Sequence, residues 1–129
     1  MTKLDALTVE LEKAVNRLKE AAALPSSNVI NQDATIQRFE FTFELAWKLM
    51  KTIVEEEGLE APSPKRAIRL SADIDLIADP IKWFEFLEAR NNTVHTYKED
   101  IARQVYSKAK EFIPEAENLL KKAQKYLQE

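Results

Sequence analysis

The sequence predicts an all-α fold, an antiparallel up-and-down bundle of four to five helices, from three observations. Apolar residues recur at alternating steps of three and four along three long segments, which is the spacing of one helix face. The 129 residues include a single Gly, although the hairpins and bulges of a β-rich fold consume Gly. The pairs Ser63-Pro64 and Asp79-Pro80 place a capping residue before a Pro, which marks a helix start.

Composition sets the broad class of the protein. With 45% apolar and 32% charged residues, the chain is typical of a globular protein, and we expect one domain over residues 1–129. The net charge of −3 gives no general attraction to nucleic acid, so any RNA or nucleotide contact must rest on a local patch. No apolar run approaches the ~20 residues of a membrane span. A cytoplasmic protein that does not contact a membrane is expected.

The first two helices are predicted over Leu4–Ala23 and Gln32–Glu57, with a loop at Leu24–Asn28 between them and Gly58 as the stop of the second. The second helix carries an apolar seam and a flanking apolar row: Ile36, Phe39, Phe43, Ala46, Met50 and Ile53, then Phe41, Leu45 and Leu49. So broad an apolar surface predicts a homodimer, although a central helix of a monomeric bundle would show the same pattern.

Three further helices are predicted after Gly58. The third begins at Ser63-Pro64 and runs to Ile77, and the fourth begins at Asp79-Pro80. The fifth begins near Lys98, and its seam keeps its phase across Pro114, which indicates one helix with a kink. The residues expected to be buried on the last two helices are Ile81, Trp83, Phe84, Phe86, Leu87, Ile101, Val105, Ala109, Phe112, Ala116, Leu119 or Leu120, Ala123 and Leu127.

Chemistry concentrates in the segment Arg90–Tyr97, RNNTVHTY. The chain has one His and no Cys, its carboxylates lack ligand spacing, and no Gly-rich loop could cradle phosphates, so no metal and no cofactor are expected. Two Asn and two β-branched residues are weak helix formers, which predicts that the fourth helix ends or distorts here. An unbroken helix would hold Arg90 and His95 roughly 140° apart. They can converge only if the backbone breaks or a second subunit completes the site.

Together, Arg90 and His95 carry the groups needed for metal-free RNA cleavage. An imidazole can take the proton of a ribose 2′-hydroxyl near neutral pH, and a guanidinium can hold the phosphate and stabilise its developing charge. From the residue types alone an alternative stays open, because a lone His after a helix end commonly caps the helix or lies at the core edge.

The pattern Arg-x4-His-x-Tyr resembles the signature of the HEPN superfamily, in the branch of the HepT-like toxins and the nucleotidyltransferase substrate-binding proteins. The resemblance extends from Leu4 to about Leu127. It includes the segments RFEFTFELAWKLMKTIVEEEG, from Arg38 to Gly58, and SPKRAIRLSADIDLI, from Ser63 to Ile77, together with the helix of Trp83.

The resemblance implies a dimeric helical bundle encoded beside a minimal nucleotidyltransferase. In the toxin members the positions of Arg90 and His95 are ribonuclease residues, Asn91 matches the polar residue after the Arg, and Tyr97 matches the hydroxyl that the partner modifies with AMP. An older interpretation of the family is a non-catalytic subunit that presents a nucleotide substrate to the nucleotidyltransferase. A helical scaffold without a site is the third hypothesis.

Several neighbouring residues have two interpretations. Tyr97 could pack at the edge of the bundle rather than accept a modification. The basic cluster Lys65, Arg66 and Arg69 could meet phosphates or simply form a solvated helix face. Trp83 and Phe86 could wall the site or stack a base, with core packing as the default for both.

Overall fold

Five α-helices and one 3₁₀ turn make up the computed structural model, which describes residues 1–129 and contains no strand. The elements in chain order are α1 (Lys3–Ala22), α2 (Val29–Glu56), α3 (Pro64–Asp73), α4 (Pro80–Asn91), the 3₁₀ turn (Asn92–His95) and α5 (Glu99–Leu127). The predicted all-α bundle is confirmed. No helix combines the length and apolarity that crossing a bilayer requires.

The three long helices α1, α2 and α5 pack against one another, and the two short helices cover the remaining side. Helix α3 packs on α2 and α4, and α4 packs on α2 and α5. The apolar seam predicted for α2 is buried throughout, at Ile36, Phe39, Phe43, Ala46, Met50 and Ile53. The alternation of three and four residues therefore identified the face of α2 that forms the core.

Five aromatic rings form the centre of this core: Phe39 and Phe43 from α2, Trp83 and Phe86 from α4, and Phe112 from α5. All five side chains are fully buried. The ring centroid of Phe112 lies 5.2 Å from that of Phe86 and 5.4 Å from that of Trp83, both edge to face. These contacts fix α4 against α2 and α5, and so determine where the C-terminal end of α4 lies.

Helix α2 begins three residues before its predicted start, and that boundary was wrong. Asn28, which we assigned to the loop, accepts a hydrogen bond from the backbone N–H of Ile30 at 2.9 Å and caps the helix. The C-terminal stop agrees with the prediction. Gly58 has φ of +85°, and the N–H of Leu59 donates to the carbonyl of Val54 at 3.0 Å, which is the Schellman ending that favours Gly.

Helix α3 ends at Asp73 rather than at the predicted Ile77. Asp75 has φ of +62°, a left-handed conformation that Asp adopts more readily than most residues. The N–H of Leu76 donates to the carbonyl of Ser71 at 2.8 Å, and that of Asp75 to the carbonyl of Ala72 at 3.2 Å. This is a second Schellman ending. The sequence signal was weaker here because the left-handed residue is Asp rather than Gly.

Burial on α4 and α5 follows the prediction with five exceptions. Ile81 is 69% exposed and Leu127 is 36% exposed, so their predicted burial was wrong, and Phe84, Leu87 and Ile101 are only half-buried. Ile81 lies in the first turn of α4, at the edge of the packed surface. Helix α5 runs unbroken through Pro114 as predicted.

Tyr126 ties the end of α5 to the end of α2 and gives the fold a pH dependence. Its hydroxyl donates to Glu57 Oε2 at 3.0 Å. Burial, this hydrogen bond and the charges of Glu57 and Glu56 raise the pKa of Tyr126 to about 12. The folded phenol thus keeps its proton at a pH where the unfolded phenol, with a pKa of about 10, has lost it.

We therefore expect a stabilising contribution that is complete below about pH 10 and is lost as the pH rises towards about 12. Denaturant titrations across that range should show this loss in the wild type. Tyr126→Phe should have a smaller decrease over the same window. Equal decreases in the two proteins would contradict the assignment.

Candidate functional site

The segment Arg90–Tyr97 passes from an α-helix into a tighter helical turn. Helix α4 ends at Asn91, in agreement with the prediction that it ends or distorts here, and the 3₁₀ turn continues to His95. Asn91 has φ −65° and ψ −28°, and Asn92 has φ −81° and ψ −4°. Both are right-handed helical values, so the chain winds on without a break.

This winding does not bring Arg90 and His95 to one side of the segment. A 3₁₀ turn advances about 120° per residue, so the two side chains leave the axis roughly 150° apart. No hydrogen bond joins them, and each has its own neighbours. Of the two routes to convergence that the sequence left open, a backbone break is absent from this segment.

Arg90 lies against α2 and is half-buried, with 28% of its side chain exposed. Its Nη2 forms an ion pair with Glu44 Oε1, and its Nη1 donates to Asn91 Oδ1 at 3.2 Å. The other carboxylate oxygen of Glu44 accepts from Trp47 Nε1 at 3.1 Å. The guanidinium is therefore held by one ion pair and one hydrogen bond, and its other N–H donors have no partner in the bundle.

His95 and Tyr97 lie together on the outside of the bundle. His95 is exposed, and the centroid of its ring lies 6.2 Å from that of Tyr97, with an angle of 74° between the planes. Tyr97 is 76% exposed. Its phenol is open to solvent rather than packed into the bundle edge. The imidazole and the phenol are both accessible to a ligand or partner.

Of the other residues considered from the sequence, only Asn91 lies at Arg90. Asn91 is exposed and contacts Arg90 directly. Lys65, Arg66 and Arg69 are exposed on α3, which packs on α2 and α4 and does not contact the 3₁₀ turn. The guanidinium of Arg69 lies 5.9 Å from the ring centroid of Phe84. Trp83 and Phe86 belong to the core.

Sequence reasoning missed two carboxylates of α2. Glu44 pairs with Arg90, and one turn earlier Glu40 Oε2 lies 3.0 Å from Thr93 Oγ1. The only sequence signal was that both belong to the narrow polar strip of a helix that is otherwise apolar. A groove of about 370 Å³ opens beside Glu40, and its lining includes Asp33 and Glu40. These carboxylates repel a phosphate, so an RNA backbone is not expected in this groove.

Arg90→Ala is expected to destabilise the fold by about 1–2 kcal/mol, between the values of exposed and buried ion pairs. The reason is that Glu44 Oε1 has no contact with solvent, and the substitution removes its positive partner. His95→Ala, at an exposed position, should leave stability unchanged. Denaturant unfolding of the two variants measures the difference.

Arg38→Ala is the matched control for Arg90→Ala. Arg38 is also half-buried, and its Nη1 donates to the carbonyl of Arg17 at 2.7 Å, but its carboxylate partner Glu20 is 75% exposed at 3.9 Å and stays solvated when the Arg is lost. The double variant Arg90→Ala, Glu44→Gln should recover part of the stability, because it removes the stranded charge. An effect of Arg90→Ala no larger than that of Arg38→Ala would contradict the prediction.

Comparisons with known proteins agree on one family. Residues 7–125 match the family model described as nucleotidyltransferase substrate binding protein like. A relative in Haemophilus influenzae, described as a probable ribonuclease HepT, is 32% identical over 126 residues, which cover 91% of this chain and 86% of the relative.

Two solved structures have the same fold. A protein of Thermus thermophilus is 38% identical, with a TM-score of 0.82, over 88% of this chain and 98% of that one. A protein of Haemophilus influenzae is 30% identical, with a TM-score of 0.68, over 94% of this chain and 96% of that one. The latter structure is described as revealing the fold of a substrate binding domain of a nucleotidyltransferase.

Proposed function

The chain belongs to the nucleotidyltransferase substrate binding protein like family, and from this membership we propose that it is the HEPN-type subunit of a toxin–antitoxin pair. In this proposal it is a metal-independent endoribonuclease, and its partner is a minimal nucleotidyltransferase encoded nearby. The similarity to a probable ribonuclease HepT supports the activity. The observation that carries the proposal is an exposed imidazole five residues after a guanidinium with unused donors.

The proposed reaction uses these two groups on one phosphodiester. His95 accepts the proton of the ribose 2′-hydroxyl, and the 2′-oxygen attacks the adjacent phosphorus. The bond from phosphorus to the 5′-oxygen breaks, and that oxygen takes a proton from an imidazolium or from water. The products are a 2′,3′-cyclic phosphate and a 5′-hydroxyl. Arg90 binds the non-bridging oxygens and stabilises the charge that builds on them.

We further propose that the site forms between two copies of the chain. Within one copy Arg90 and His95 leave the segment in different directions, so a phosphate that touches both must sit where two segments meet. Exposed apolar side chains near the segment support a contact surface there. Val94 is 69% exposed and Tyr97 is 76% exposed.

Mixing two inactive variants tests this composite site. If each site takes Arg90 from one copy and His95 from the other, a mixed dimer of Arg90→Ala and His95→Ala holds one intact site. Co-expressed and separated by two different tags, the mixed dimer should recover up to about half of wild-type activity per dimer. A mixed dimer as inactive as its parents would contradict a site shared in this way.

Tyr97 is the proposed acceptor of AMP. Its oxygen would give up its proton to a base or to water, attack the α-phosphorus of ATP in the active site of the nucleotidyltransferase, and displace pyrophosphate. The exposure of the phenol supports access for that enzyme, and the adduct would add a phosphate anion beside His95. RNA would then be excluded by occupancy and by charge. Intact mass after co-expression with the nucleotidyltransferase should show the adduct, and Tyr97→Phe should lack it.

The ribonuclease proposal is tested by incubating purified wild-type protein with RNA in excess chelator. Cleavage should persist, and the new 3′ ends should be 2′,3′-cyclic phosphates. RNA that remains intact, with or without divalent cations, would reject the activity.

A second candidate function is a non-catalytic subunit that binds a nucleotide substrate for the nucleotidyltransferase. The family description and the described fold of the Haemophilus influenzae structure favour it. It predicts tight association with the nucleotidyltransferase and saturable nucleotide binding, without RNA turnover. Equilibrium nucleotide binding combined with the chelator experiment distinguishes the two candidates.

A further inference from the structure

Glu44 occupies an unusual position for a carboxylate in this bundle. It lies in the middle of α2 with 29% of its side chain exposed, and its Oε1 is completely covered by protein. Covering a charged oxygen is costly unless a counter-charge compensates it. Arg90 is that counter-charge. The second oxygen of Glu44 accepts from Trp47 Nε1 one turn along the same helix, so the carboxylate plane is fixed from both sides.

The guanidinium of Arg90 is fixed in turn. Glu44 holds Nη2, and Asn91 Oδ1 holds Nη1 at 3.2 Å. A planar guanidinium held at both terminal nitrogens cannot rotate freely about its stem. Its remaining N–H donors then point in a defined direction, which is what recognition of a phosphate in a transition state requires.

Glu40 lies one helical turn before Glu44 on the same face of α2, where it contacts the 3₁₀ turn. Thr93 Oγ1 lies 3.0 Å from Glu40 Oε2 and 2.8 Å from the carbonyl oxygen of Arg90. The hydroxyl has one proton, so it donates to one of these oxygens at a time. Thr93 is the second residue of the 3₁₀ turn that ends at His95. Through it, α2 also limits the movement of the turn that carries the imidazole.

We propose that Glu44 is a positioning residue for Arg90, and that the strip formed by Glu40 and Glu44 is the rigid support of the site. The proposal rests on the ribonuclease function proposed above. Glu44 touches neither RNA nor the reacting atoms, and acts only through Arg90. The negative charge of Glu44 partly cancels the positive charge with which Arg90 attracts RNA. Replacing Glu44 with a neutral residue therefore does not weaken the binding of RNA. The expected signature is a loss in kcat without an increase in KM.

Glu44→Ala should lower kcat by about 10- to 100-fold, the range expected when a catalytic group is misplaced by about 1 Å, with KM unchanged or lower. Glu44→Gln should retain more activity, because its amide oxygen can still accept from Arg90 or from Trp47. Glu20→Ala is the matched control. It removes the exposed partner of Arg38 on α2 and should keep wild-type kcat and KM.

A measurement that needs no activity accompanies the kinetics. Exchange of the Arg90 guanidinium N–H protons with solvent, followed by NMR, should be slow in the wild type and in Glu20→Ala. It should be several-fold faster in Glu44→Ala. Unchanged exchange in Glu44→Ala would overturn the positioning role, whether or not the protein cleaves RNA.

The kinetic outcomes separate this inference from the proposed function. Wild-type kcat in Glu44→Ala, together with an inactive His95→Ala, would overturn the role of Glu44 and leave the ribonuclease intact. An increase in KM at constant kcat would also overturn it, since that result marks a binding role. Absence of cleavage by the wild type would instead reject the ribonuclease, and the exchange measurement would then decide whether Glu44 holds Arg90.

Discussion

His95→Ala is expected to abolish RNA cleavage, with kcat lower by about 10³-fold, within the range that a positioned general acid or base contributes. The variant loses the only imidazole in the chain, so no second His can take over the proton of the 2′-hydroxyl. KM should change little, because the phosphate is held by Arg90. Steady-state cleavage of a defined RNA in chelator measures both constants.

Stability provides the first control for that experiment. His95 is exposed, and its ring faces only that of the exposed Tyr97, so the unfolding midpoint of His95→Ala should match that of the wild type. His95→Gln keeps a polar side chain of similar size without a group that titrates near neutral pH, and should be equally inactive. Lys19→Ala is the distant control. Its helix, α1, packs only on α2 and α5, and full activity is expected. Wild-type turnover by His95→Ala would remove the catalytic assignment.

The bundle could be predicted because its information is local. Helical periodicity and capping each depend on residues within one or two turns of one another. These two signals predicted five helices close to the observed boundaries. The errors arose where a second factor decided the outcome. Asp75 ended α3 through a left-handed conformation that its residue type only weakly predicts. Ile81 continues the apolar pattern of α4, yet no neighbouring helix covers it.

The candidate site could be predicted only in part, for the same reason. Weak helix formers located the end of α4, and the residue types of Arg90 and His95 suggested their chemistry. The pairing of Glu44 with Arg90 joins α2 to α4 across 46 positions, from 44 to 90, and depends on how the two helices pack. In the sequence, Glu44 is one of five charged residues in the polar strip of α2, and nothing local distinguishes it from Glu40, Lys48, Lys51 and Glu55.

Phe112→Ala is expected to lower the free energy of unfolding by about 3–5 kcal/mol, a large share of the about 5–15 kcal/mol typical of a domain. The ring is fully buried and has four aromatic neighbours, with centroids 5.2 Å away for Phe39, 6.0 Å for Phe43, 5.4 Å for Trp83 and 5.2 Å for Phe86. Four large rings cannot all shift inward to fill the space. Denaturant unfolding followed by circular dichroism measures the loss.

Two further variants test whether the cavity, rather than the loss of an aromatic residue, is the cause. Phe41→Ala removes the same atoms from a half-buried position on α2, and should cost clearly less. Phe112→Leu fills most of the space and should recover more than half of the loss. Because Trp83 and Phe86 anchor α4, which carries Arg90, Phe112→Ala should lose activity in proportion to its unfolded fraction, and Phe112→Leu should be nearly fully active at low temperature.

A Phe112→Ala protein that is stable to within about 1 kcal/mol of the wild type would show that the rings repack around the cavity. The position of α4 would then depend on its contacts with α3 and on the pairing of Arg90 with Glu44.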